Sequence, residues 1–124
     1  MEIITKTSRQ TVADTVERLT GIINAKGMRL FAVIDQRAEA KQAGLDMRDT
    51  VLVIFGSPAA GTPVMVASPM SAIDLPLKVL IWDDDGHTKV SYYDPAAIVA
   101  ERHVPAELAG NLAGINAVTD ALVA

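Results

Sequence analysis

The sequence predicts an α+β fold, helices packed on a mostly antiparallel five-stranded sheet, from three observations. Short β-branched or apolar runs alternate with helical stripes in the order β-α-β(4)-α, with short helical inserts. Asp85-Gly86 stands between two strand-like runs, the pattern of a tight hairpin and hence of antiparallel neighbours. The apolar run from Thr50 to Phe55 ends abruptly in Gly56-Ser57-Pro58, as a strand does when turn residues close it. With 124 residues, 50% of them hydrophobic, and neither a repeat nor a low-complexity linker, residues 1–124 form one domain able to bury a core.

Taken in order, residues 2 to 6 are β-branched and make the first strand, and Ser8 caps the helix that follows. Val12, Val16, Leu19, Ile22 and Ile23 recur at helical spacing, and Lys26-Gly27 ends that helix with a cation and a residue suited to positive φ. Met28 to Ile34 is the second strand. Asp35 opens a polar, Ala-rich helix through Ala43, which Gly44 stops. The third strand, Asp49 to Phe55, is so continuously apolar that burial on both faces, or at a subunit contact, is expected. Thr62-Pro63 and Ser68-Pro69 each place proline after a capping residue and predict two short helical turns. Leu75 to Asp83 and Thr88 to Tyr93 are the hairpin strands. Asp94-Pro95 starts a helix to about Arg102, and Pro105 interrupts the chain. Leu108, Leu112, Ile115, Val118 and Leu122 then define one amphipathic C-terminal helix, where Gly110 and Gly114 lower helix propensity and offer close packing.

Composition narrows the function classes. Eleven basic against fifteen acidic residues give a formal charge of −4, the wrong sign for a track of nucleic-acid phosphates. Cysteine is absent, which removes thiol chemistry and thiolate metal sites; the two histidines lack zinc-ligand spacing, so neither metal nor cofactor is expected. Asp83-Asp84-Asp85-Gly86 lacks the alternating ligands of a calcium loop. The N-terminus lacks a secretory pattern and no apolar run approaches a membrane span, so a soluble cytoplasmic protein is expected, with neither membrane nor nucleic acid as partner.

Several segments taken together resemble a bacterial family known as the domain of unknown function 302. They are Val33-Ile34-Asp35, Ala43-Gly44-Leu45, Thr50 to Gly56 with Pro58, Gly61-Thr62-Pro63 with Met65, Asp74 to Lys78, Tyr92 with Asp94-Pro95, and Arg102-His103. They run in order over roughly residues 12 to 104. The resemblance implies a compact β-α-β(4)-α fold and frequent homodimers, and no established activity. Gln36 stands where the family pattern usually has histidine, and Ser57 where it usually has asparagine. The first departure removes an imidazole base or ligand, and the second keeps a small hydrogen-bonding side chain.

The candidate ligand-binding residues are Asp35, Arg48, Gly56, Ser57, Gly61, Thr62, Asp74, Tyr92, Arg102 and His103. A Gly-containing loop entering a helix can cradle an anion with free amides, although the segment from Gly56 to Thr62 matches no phosphate-loop or dinucleotide pattern and reads equally as punctuation. Asp35 and Asp74 stand at element ends as carboxylates that either carry acid–base chemistry or cap local backbone. Arg102-His103, through the family pattern, suits an acidic ligand or a proton shuttle, against a helix C-terminal role for His103. Tyr92 and Tyr93 fall on opposite strand faces, one toward the core and one toward a ligand or partner. Two readings follow: a homodimeric module binding a small acidic ligand near Ser57, Arg48 or Arg102, or a small hydrolase or isomerase using Asp35 or Asp74 with His103 beside the glycine loop.

Overall fold

In a computed structural model describing residues 1–124, the sheet has the order β1-β5-β4-β3-β2. The strands are β1 (Ile3–Ser8), β2 (Arg29–Asp35), β3 (Thr50–Gly56), β4 (Leu77–Asp84) and β5 (His87–Tyr93). All four pairings are antiparallel, as the hairpin signal required. At the β4–β5 turn Asp85 and Gly86 have φ of 48° and 90°, which Asp and Gly tolerate best. The helices are α1 (Val12–Ala25), α2 (Gln36–Gln42), α3 (Pro58–Ala67), α4 (Pro95–Glu101) and α5 (Gly114–Val123), with 3-10 turns at Pro69–Ile73 and Ala106–Asn111.

The main core lies between one sheet face and α1 with α5. Val51, Val53 and Phe55 of β3, Val79 and Ile81 of β4, and Val90 and Tyr92 of β5 meet Leu19 and Ile23 of α1 and Ile115, Val118 and Leu122 of α5. A smaller cluster of Val64, Ile98, Val104 and Leu112 ties α3, α4 and the second 3-10 turn together at one end of the sheet. No residue of the other sheet face joins either cluster.

Four local expectations are corrected. Thr11, not Ser8, caps α1, its side chain accepting from the Asp14 amide, while Ser8 Oγ is 2.8 Å from Thr15 Oγ1. β3 is buried on one face alone: Val51, Val53 and Phe55 are covered while Leu52 and Ile54 are only half-buried, because helices lie on a single side. α3 begins at Ser57-Pro58 rather than Thr62-Pro63. Ser57 caps it, and Pro63 lies inside the helix, where it withholds the amide that Ala59 would bond. The C-terminal stripe is two elements, a 3-10 turn and then α5. Leu112 therefore packs in the small cluster while Ile115, Val118 and Leu122 face the main core.

Candidate functional site

A cavity of about 260 Å³ opens where the Gly56 end of the sheet meets α3. Met28 and Ile115 border it from the core, Ser57, Pro58, Gly61 and Met65 from α3, Leu75-Pro76-Leu77 from the approach to β4, and Asn111, Leu112 and Gly114 from the approach to α5. Phe31 completes it from β2. None of the lining residues is charged. The Leu75-Pro76 peptide is cis. Asn111 Nδ2 donates to the Ala60 carbonyl at 3.0 Å and joins the two helical walls.

Two features of the lining lack a packing explanation. Gly61 stands inside α3 and Gly114 opens α5, yet a Cβ at either would meet no heavy atom within 4 Å, and neither has positive φ. The expected close packing at Gly114 is therefore absent. Glycine inside a helix costs about 1 kcal/mol relative to alanine, so Gly61 in the interior of α3 carries a stability cost that no packing contact explains.

The polar inventory of the segment from Gly56 to Thr62 corrects the anion-cradle expectation. Pro58 has no amide hydrogen; the Ala60 amide meets Ser57 Oγ at 3.3 Å and the Ser57 carbonyl at 3.0 Å; the Gly61 amide meets the Ser57 carbonyl at 2.8 Å. What reads as a loop is a capped first turn with its donors mostly occupied. Gly56, Ser57, Gly61 and Thr62 do line the cavity. Asparagine at position 57 would supply the same cap, so the departure from the family pattern is conservative there.

The other candidates lie elsewhere. Asp35 caps α2, accepting from the Ala38 amide at 3.0 Å. Arg48 donates to the Asp83 carbonyl and faces Asp84 at 3.8 Å, at the hairpin end of the sheet. Asp74 and Arg102 are paired at 2.6 Å, and hydrogen bonding to Asp74 holds the Arg102 guanidinium above its ordinary pKa despite desolvation. Tyr92 is buried and donates to Asn116 Oδ1 at 2.8 Å, whereas Tyr93 is 40% exposed on the opposite face. His103 is exposed at φ 52° and closes α4 through its backbone.

These positions do not assemble the acid–base site. Asp35 is level with Val51, and Asp74 precedes Leu77, which is level with Phe55, so about 13 Å of strand separates the two ends. Asp74 is committed to Arg102, and no hydrogen bond reaches the His103 side chain. No group of His, Asp and Glu suited to holding a metal ion is present.

Two residues missed in the sequence shape the site. Leu30 pairs with Phe55 and Ala32 with Ile54, so the register slips by one and Phe31 is the extra residue of a β-bulge. The bulge leaves Phe31 without a cross-strand partner, and the residue lines the cavity. Asn111 gave no signal, because its partner is a backbone carbonyl 51 residues away.

A family model described as "Domain of unknown function DUF302" matches residues 4–122. A solved structure described as uncharacterized conserved protein DUF302 from Bacillus stearothermophilus superposes with a TM-score of 0.83 over 99% of this chain and 96% of that one, at 20% identity. This likeness is one of fold. Among curated proteins, the chain is 39% identical over 102 residues to "Fluoride-specific ion channel FluC 1" of Brucella suis biovar 1 (strain 1330), covering 82% of this chain and 40% of the relative. A FluC 1 of Brucella abortus biovar 1 (strain 9-941) matches equally, over 37% of its length. The chain thus spans about two fifths of the curated relatives it matches.

Proposed function

The chain belongs to the DUF302 family, and from that premise we propose that it is a binding module for a small, largely apolar molecule held in the cavity between α3 and the Gly56 end of the sheet. The observation that carries this reading is a cavity of about 260 Å³ without a charged lining residue, with Gly61 of α3 and Gly114 at the start of α5 in its wall. The hydrolase or isomerase alternative has no such support, since Asp35 caps α2 away from the cavity, Asp74 is paired with Arg102, and neither Asp74 nor His103 lines the cavity. Nor does the channel name of the Brucella relatives come over to this chain: the shared portion is a minority of their length, and no helix here is long and apolar enough to cross a membrane.

Titration with the neutral fluorescent probe N-phenyl-1-naphthylamine tests the reading. Wild type is expected to enhance its fluorescence saturably, and Gly61→Leu, which fills the cavity, to abolish the enhancement with unchanged circular dichroism. Equal enhancement by both proteins, or none with wild type, would overturn it.

A second reading is that the module works as a homodimer through the uncovered sheet face. Ile34, Leu52, Ile54, Leu80 and Trp82 are only half-buried there, and Ile3 and Tyr93 are exposed, an apolar surface that a second copy would cover.

A further inference from the structure

The apolar cavity fixes the body of a ligand and leaves its polar end to whatever stands at the mouth. Phe31 is there: its side chain lines the cavity, yet the residue is 44% exposed, so the ring forms part of the rim. The guanidinium of Arg29 lies 5.0 Å from the centroid of that ring. Arg29 takes part in none of the ion pairs of the structure, which involve Lys6, Arg37, Arg48 and Arg102. It is a cation without a carboxylate partner, steadied by an aromatic face that borders the cavity.

Resting on the binding-module reading above, we infer that the ligand is a small amphiphilic anion. Its ring or short chain fills the cavity beneath Phe31, and its carboxylate sits at the mouth against Arg29. Three observations converge on this class. The uncharged lining cannot accept a buried charge, so a charged group must stay at the opening. The cation beside the opening is arginine, whose planar fork matches a carboxylate. Arg29 and Phe31 stand two residues apart on β2, the spacing that puts side chains on one strand face, so ring and guanidinium meet at the rim. An acidic ligand thus remains the expected chemistry, with Arg29 replacing Arg48 and Arg102 as its anchor.

Calorimetric titration with two probes matched in shape, 1-naphthoate and neutral 1-naphthalenemethanol, separates this inference from the reading it rests on. Wild type is expected to bind naphthoate at least tenfold more tightly, since a charge-assisted hydrogen bond is worth about that much. Arg29→Gln is expected to reduce the ratio below threefold with the alcohol's affinity unchanged, and Phe31→Ala to weaken both probes tenfold or more. Equal affinities in wild type would overturn the anion, and a preference surviving Arg29→Gln would overturn Arg29 as its anchor, each leaving the cavity as a binding site. No binding of either probe would overturn both. Adding anionic phospholipid vesicles distinguishes the source: naphthoate affinity holds if the natural ligand is a free acid, and a loss through competition would assign the site to a lipid head and chain instead.

Discussion

His103 closes α4 in the backbone conformation that glycine supplies elsewhere in this chain. The Val104 amide reaches back to the Val99 carbonyl at 3.0 Å, as the Met28 amide reaches Ile23 past Gly27 and the Leu45 amide reaches Ala40 past Gly44. Left-handed φ costs a residue with a Cβ about 1 kcal/mol, so His103→Gly is expected to raise unfolding free energy by about that amount in urea titrations. Lys6 shows the opposite economy. Its ammonium meets Thr119 Oγ1 at 2.6 Å and Asp120 Oδ1 at 2.7 Å and lies 5.2 Å from the Tyr92 ring centroid, which joins β1 to α5. Desolvation alone would lower the Lys6 pKa, but hydrogen bonding and charge from Asp120 and Tyr92 outweigh it and hold it above 10.5. A raised lysine contributes stability fully below its unfolded value and loses it as pH climbs through the folded one. Lys6→Met is therefore expected to be less stable than wild type at pH 7 to 9, with a difference that shrinks above pH 10.5, read by denaturation at matched pH values.

At the scale of elements, most of what the sequence showed was punctuation, and it was sound where one capping residue stood alone, but not where two competed, as Ser8 and Thr11 do before α1. Asp35, Asp94 and Gly44 start or stop helices where expected, because a cap is decided by residues within one turn. α3 was misplaced because Ser57-Pro58 and Thr62-Pro63 offer the same signal five residues apart. The segment's apolar positions do not favour one helical face, so packing chose between the two starts. Gly61 is the informative position in α3. Gly61→Ala is expected to raise stability by about 1 kcal/mol, since the new methyl gains helix propensity and meets nothing within 4 Å. An unchanged or lower melting temperature would overturn this expectation.

For the whole molecule, the asymmetry between the sheet's two faces governs behaviour in solution. All the strand residues of the core point to α1 and α5, while Leu52, Ile54 and Leu80 line the face without helices. The apolar continuity of β3 comes with burial on one face alone within the chain, which leaves Leu52 and Ile54 on the face a second copy would cover. Size-exclusion chromatography with light scattering is expected to give a dimer for wild type and a monomer for Leu52→Asp with its helical content retained. A wild-type monomer at high concentration would discard the assembly.

By itself, the sequence determined the order of the strands and main helices, the antiparallel hairpin, the caps at Asp35 and Asp94 and an aliphatic core, because periodicity, capping and composition act over a few residues. Only the tertiary structure decided which residues share a site. Asp35 was separated from Asp74 by the length of the strands, and Arg48 and Arg102 were taken by Asp84 and Asp74. Met28, Phe31, Gly61, Leu75, Asn111 and Gly114 were gathered around one cavity. A one-residue slip between β2 and β3 leaves Phe31 unpaired beside that cavity, and such a slip depends on pairing between strands rather than on any property of Arg29–Asp35 alone.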